Sequence, residues 1–151
     1  MAFDLKKLVK QVSAASADNR SGYIRAGEGE LEIRRTEIRD GHKGPHFIVE
    51  FSVVSAKQTD PNIQPNIVGS TVASVLPLQG ERATSSANTI RALVEAATKE
   101  RGEACGEDII AEFCDPKNSD TVKGTRVKFQ AVQIKTKAGR DYTKVSFYPA
   151  E

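Results

Sequence analysis

The residues best suited to chemistry in this 151-residue sequence are cations and tyrosines near its carboxyl-terminal end. Between Lys117 and Lys144, eight lysine and arginine residues stand against two aspartates, so this stretch carries +6 and the rest of the chain −4. Tyr142 and Tyr148 lie in or just beyond it. Cations neutralise phosphates and aromatic rings stack on unpaired bases, so the combination predicts a surface for single-stranded nucleic acid.

Constellations for catalysis or metal binding are much weaker. His42 and His46 are four residues apart, but the glycine and proline between them favour a turn, which does not align two imidazoles as a helix would. Cys105 and Cys114 could complete a zinc site with them, although Cys-x8-Cys is not a zinc-knuckle spacing, and we expect free thiols. With no Walker lysine and no Gly-x-Ser-x-Gly nucleophile, the sequence predicts a protein that is not an enzyme and needs no metal or other cofactor.

Alternating apolar and polar side chains predict the strands that position these residues. The predicted strands cover residues 30–34, 46–54, 67–76, 124–134 and 141–148. On the second strand we expect Phe47, Val49, Phe51 and Val53 to share one face. In the fourth strand the apolar phase slips by one residue, which predicts a β-bulge near Ala131–Val132.

Apolar residues at helical spacing, from Ile90 to Ala97, follow candidate N-cap residues and predict a principal helix over 84–101. Residues 107–114 predict a second helical turn, with a strand left open. Residues 4–12 carry the apolar stripe of a short amphipathic helix, so we expect a helical or flexible N-terminal arm over 1–21 and one barrel domain over 22–151.

Three strands, a helix and two further strands are the element order of the OB-fold, a five-stranded Greek-key barrel with its helix between strands three and four. The sequence therefore predicts a mainly β, OB-like barrel. On this fold, the loop between strands four and five is one of those that contact oligonucleotides. The predicted nucleic-acid-binding residues are Arg34, Arg35, Arg126, Lys128, Lys135, Lys137, Arg140, Tyr142, Lys144 and Tyr148.

The carboxyl-terminal hairpin resembles the closing hairpin of phage-encoded OB-fold proteins that bind single-stranded DNA. The resemblance is carried by the Gly-Thr-Arg-Val-Lys-Phe strand from Gly124, the Lys-Thr-Lys-Ala-Gly-Arg turn from Lys135, and the strand from Asp141 to Pro149. The Gly22-Tyr23 and Gly27-x-Gly29 strand entrance is similar in order. The resemblance implies a non-catalytic protein that coats replication or recombination intermediates.

A second hypothesis is a phage or bacterial structural or adaptor β-barrel that binds a protein partner. The net charge of only +2 and the proline-containing loop over 57–65 suit a docking surface as well. A choice between DNA and RNA stays open. The charged N-terminus and the lack of a long apolar stretch predict a cytoplasmic chain, in the host cytoplasm if phage-encoded, with no membrane partner. The apolar stripe of the arm can be buried either on its own barrel or on a neighbouring subunit, and we favour a homo-oligomer.

Overall fold

Six strands form one sheet, in which the shortest strand alone runs parallel to its neighbour. The computed structural model describes residues 5, 6, 9, 22–41, 44–135 and 137–150. The strands are β1 (Gly22–Tyr23), β2 (Gly27–Gly41), β3 (Gly44–Lys57), β4 (Thr71–Pro77), β5 (Arg126–Lys135) and β6 (Asp141–Pro149). Their order across the sheet is β1-β4-β3-β2-β5-β6, and only β1 with β4 is a parallel pair. Strands β2 to β6 therefore form a five-stranded antiparallel sheet.

The helices are inserted between β4 and β5. They are α1 (Ala83–Thr98), α2 (Glu107–Cys114) and the single-turn α3 (Ser119–Val122), with 3-10 turns at Gly102–Ala104 and Pro116–Asn118. Helix α1 buries Leu93, Val94 and Ala96 and packs mainly against β6. It ends where Lys99 takes a left-handed conformation with φ 62°. The predicted principal helix and the helical alternative for 107–114 are both confirmed, and none of the helices in the described part of the chain has the length and apolar character needed to cross a membrane.

The core lies between α1 and the inward face of the sheet. Phe47, Val49, Phe51 and Val53 on β3 are each 2% exposed or less, which confirms the face predicted from their alternation. The ring of Phe51 stacks on that of Phe147 from β6, with 5.6 Å between the centroids. Because β3 and β6 are separated by β2 and β5 in the sheet, this contact requires the sheet to curl over its own core.

Curling is assisted by irregular pairing in β2. The register between β2 and β3 shifts at Glu30/Leu31 and again at Ile33/Arg35, and such extra residues bend a strand and increase its twist. Among the described residues, no backbone pairing joins β6 to β4 or β1, so the sheet is not closed by hydrogen bonds. A seam separates these two edges.

Several expectations about strand ends and turns are wrong. The bulge predicted near Ala131–Val132 is absent, because β5 and β6 pair without interruption from Val127↔Pro149 to Lys135↔Asp141. The apolar pattern slips by one residue there because Val132 and Ile134 are apolar but lie on the exposed face, with 48% and 43% of their surface accessible. The third predicted strand begins at Thr71, since the residues before it form a turn that exposes Ile67.

At the start of α1 the N-cap is Arg82, which makes no side-chain cap, so the predicted serine and threonine caps are wrong as well. The predicted arm over 1–21 lies mostly outside the described residues. Within it the structure describes Leu5, Lys6 and Val9, which are helical. The division into an arm and one domain therefore stays a prediction.

Phe51→Ala is expected to lower the free energy of unfolding by about 3–5 kcal/mol, because it removes a fully buried ring and its contact with Phe147. Urea denaturation followed by circular dichroism measures the change. Ile67→Ala, at a side chain that is 80% exposed, should change stability by less than about 0.5 kcal/mol. Equal losses for the two variants would contradict the location of the core.

Candidate nucleic-acid interface

The register of the β5–β6 hairpin brings predicted cations and aromatics to one surface. Lys128 pairs with Tyr148, Val132 with Lys144, and Ile134 with Tyr142. Directly paired residues of antiparallel strands point to the same side, so these side chains share one face. We call it the outer hairpin face, and it comprises Arg126, Lys128, Gln130, Val132, Ile134, Tyr142, Lys144, Ser146 and Tyr148.

The opposite side of the hairpin belongs to the core. Val127, Phe129 and Phe147 alternate with the outer residues and are buried, whereas Tyr142 and Tyr148 are 38% and 45% exposed. The same alternation therefore fixes the hairpin to the sheet and presents two tyrosine rings to solvent. Each ring offers an apolar surface on which a planar partner can stack.

The distal part of the hairpin projects beyond the sheet. Pairing between β2 and β5 stops at Gly27↔Ala131, but β5 and β6 continue to pair as far as Lys135↔Asp141. The distal hairpin, residues 132–144, carries four cations against the single acid Asp141. Those cations are Lys135, Lys137, Arg140 and Lys144, and all four are exposed. An anionic chain would therefore meet a clear excess of positive charge along this segment.

Two other predicted cations lie beside acids. On β2, Glu30 pairs with Lys128 and Glu32 with Arg126, while Glu28 pairs with Gln130. Because cross-strand neighbours of opposite charge attract, these glutamates reduce the positive potential that Lys128 and Arg126 present. The positive charge that the sequence spreads evenly over the last third is therefore concentrated at the distal hairpin.

Arg34 and Arg35 belong to a different part of β2. Both follow Glu32, the last β2 residue paired with β5. The Arg34 guanidinium donates to the Thr71 hydroxyl at 3.2 Å, and the Nε atom of Arg35 lies 2.7 Å from a carboxylate oxygen of Glu50. These two predicted site residues thus make contacts along β2, β3 and β4 and do not join the distal hairpin.

A groove of about 460 Å³ runs along the seam between β4 and β6. Its lining includes Tyr23, Val75, Asp141 and Tyr142. Tyr23 is 74% exposed and Val75 41%, so the seam offers apolar surface next to the cationic hairpin. The guanidinium carbon of Arg82 lies 6.0 Å from the Tyr142 ring centroid, at the outer limit of a cation–π contact.

Tyr23 and Arg82 were absent from the predicted site. Tyr23 follows a glycine in a two-residue strand with no alternation to reveal which side it faces. Arg82 precedes α1 in a turn, where no periodic pattern applies. Their link to Tyr142 depends on contacts between elements that are distant in sequence, so only the folded chain reveals it.

A second groove, about 590 Å³ in volume, lies on the outward side of the sheet. It extends across β3, β2, β5 and β6, and its lining includes Glu28, Glu30, Lys57, Lys128 and Tyr148. Tyr148 therefore lies at the border between the outer hairpin face and this groove, which is large enough to hold a planar ring.

The residues considered for zinc do not assemble in the described part of the chain. His46 has its Nδ1 atom 3.0 Å from the Gly44 carbonyl oxygen, and His42 lies outside the described residues. No group of three or more histidine, cysteine or acidic residues there could hold a metal ion. Cys105 and Cys114 are free thiols, as expected, and burial raises the pKa of the Cys114 thiol.

Comparison with known proteins does not assign the chain to a family. No protein-family model matches the sequence, and no curated protein matches it. The functional interpretation therefore depends on the two grooves and on the outer hairpin face.

Alkylation of Cys114 is expected to have its pH midpoint above that of the same thiol in the unfolded chain, because burial disfavours the thiolate, the reactive form. Iodoacetamide labelling of Cys105→Ser, quantified by mass spectrometry with and without urea, measures both midpoints. In Cys114→Ser, the remaining thiol is 2% exposed and should stay unlabelled without urea. Identical midpoints in folded and unfolded Cys105→Ser would contradict this assignment.

Proposed function

We propose that this protein binds single-stranded DNA without catalysis, through the cationic distal hairpin and the tyrosines of the outer hairpin face. The observation that carries the proposal is the β5–β6 register, since it puts Tyr142 and Tyr148 on the face that also holds Lys144. Phosphates and bases of an unpaired strand can then be contacted from one surface. Duplex DNA keeps its bases stacked on one another, so the exposed rings would add little to duplex binding.

We also propose that the fold is OB-like. The order β4-β3-β2-β5-β6, with α1 between β4 and β5, is the order expected for that barrel once the seam between β4 and β6 is disregarded. The distal hairpin then corresponds to the loop between the fourth and fifth barrel strands, which contacts oligonucleotides in OB-folds. This correspondence supports the hairpin as the primary contact.

The expected binding is largely independent of base sequence. Contacts between lysine or arginine and phosphate carry no sequence information, and tyrosine can stack on any base. A protein with these properties suits the coating of replication or recombination intermediates, whose sequences vary. The cluster of four cations in the distal hairpin indicates a modest number of phosphate contacts per chain.

Reversing two distal cations, in Lys137→Glu/Arg140→Glu, is expected to weaken binding to every oligonucleotide and to flatten the dependence of log affinity on log salt by about two phosphate contacts. Fluorescence anisotropy with oligo-dT over a salt series measures both effects. Lys117→Glu/Lys123→Glu changes net charge equally at exposed positions outside the hairpin and should retain the wild-type slope. If both pairs of substitutions weaken binding equally, net charge alone governs binding and the proposed face is wrong.

Removing the Tyr148 ring, in Tyr148→Ala, is expected to cost about 1–3 kcal/mol of binding free energy while leaving the salt slope unchanged, because stacking releases no counterions. Tyr148→Phe keeps the ring and should bind like the wild type. The same titrations report both variants. Wild-type affinity in both Tyr148→Ala and Tyr142→Ala would contradict the stacking role, whereas no binding to oligo-dT at low salt by the intact protein would favour the adaptor hypothesis.

The protein is further proposed to self-associate through its N-terminal arm. Leu5 and Val9 are four residues apart in helical conformation, and they are 62% and 56% exposed. Leu5→Ser/Val9→Ser should lower the mass measured by light scattering, since burying two such side chains on a second copy contributes about 3 kcal/mol or more. Lys6→Ser, on the same segment, should retain the wild-type mass. A monomeric wild-type protein would contradict this proposal.

A further inference from the structure

The outward groove is crossed by a straight row of four side chains from four strands. Ser55 pairs with Glu30, Glu30 with Lys128, and Lys128 with Tyr148. This row begins at the Tyr148 ring, which we propose stacks on a base, and extends into the groove. All four of these side chains line the groove.

The groove has balanced charge, in contrast to the distal hairpin. A second row pairs Lys57 with Glu28 and Glu28 with Gln130. Two carboxylates therefore accompany two ammonium groups in the lining. A phosphodiester chain gains little from such a surface, because the carboxylates repel it as strongly as the lysines attract it. The groove is better suited to a neutral group that has both hydrogen-bond donors and acceptors.

We infer that this groove receives a nucleobase and favours bases whose pairing edge carries an amino group. The inference rests on the proposed function and deepens it, because it concerns which bases the same surface selects. An ionised carboxylate only accepts hydrogen bonds, so a base that contacts Glu28 or Glu30 must offer N–H groups to it. The amino group of cytosine supplies two, and its neighbouring ring nitrogen and carbonyl oxygen accept from a lysine.

Uracil and thymine reverse two positions of this edge, and the single N–H of the ring nitrogen leaves them one donor where cytosine has two. At the position of the cytosine amino group they carry a carbonyl oxygen, which would face a carboxylate with no proton between them. Adenine and guanine also carry amino groups and fit the same description. Among the pyrimidines, cytosine is therefore the expected ligand and uracil the expected poor one.

Oligo-dC and oligo-dU of about 15 nucleotides isolate this effect, because the two bases differ only at the pairing edge and share one backbone. Fluorescence anisotropy of the full-length protein at fixed salt should give affinity for oligo-dC about fivefold or more above that for oligo-dU. In Glu28→Gln/Glu30→Gln the ratio should fall below about twofold, since a side-chain amide donates as well as accepts.

Glu32→Gln is the matched control. Glu32 is the next acid along the outward side of β2, but it pairs with Arg126 and is not part of the groove lining. Its substitution also removes negative charge, so affinity for both oligonucleotides should rise while their ratio stays at the wild-type value.

Equal affinity of the wild type for oligo-dC and oligo-dU overturns the inference and leaves the proposed function intact. A ratio that survives in Glu28→Gln/Glu30→Gln, with folding verified by circular dichroism, also overturns it. Absence of binding to both oligonucleotides at low salt overturns the proposed function itself. The wild-type comparison decides the first point even if the double variant fails to fold.

Discussion

Strand β2 pairs with β3 and β5 over segments of different length, and the rest of the structure depends on this difference. It pairs with β3 from Glu28 to Gly41 but with β5 only from Gly27 to Glu32. Both strands continue beyond their shared segment, and on β2 the backbone N–H groups of Ile33 and Thr36 donate to the Thr125 carbonyl and the Ser119 hydroxyl instead of to β5. The distal hairpin is the extension of β5, whereas Arg34 and Arg35 lie on the extension of β2. The two groups of predicted cations therefore lie beyond opposite ends of the segment that β2 and β5 share.

The β5–β6 hairpin couples the stability of the core to the face that we propose for binding. Its inward residues, among them Phe129 and Phe147, are buried, and the intervening residues form the outer hairpin face. A shift of one residue in register would exchange the two sets, which would expose the phenylalanines and bury Lys128. Burial of a charged side chain costs several kcal/mol, so the energy that holds the core together also holds the tyrosines in their exposed positions.

Much of this fold could be predicted because local patterns report local burial. The alternation from Phe47 to Val53 and the helical spacing from Ile90 to Ala97 both correspond to buried faces. Patterns failed where apolar residues stay exposed, as at Ile67 and Val132, because an apolar side chain is buried only where another element covers it. Charge density along the sequence could not predict that acids flank Arg126 and Lys128. Their proximity arises from pairing between strands that are nearly 100 residues apart in sequence.

The distribution of charge along the sheet makes the two tyrosines unequal. Tyr142 belongs to the cationic distal hairpin and has the Arg82 guanidinium near its ring, whereas Tyr148 borders a groove in which two carboxylates balance two lysines. Under the proposed function, the backbone of a strand held by its phosphates at the hairpin would gain little over the groove, because Glu28 and Glu30 offset the attraction of the two lysines. Its uncharged bases could still form hydrogen bonds there. The proposal therefore predicts a bound strand whose backbone stays on the distal hairpin and whose bases turn toward Tyr148.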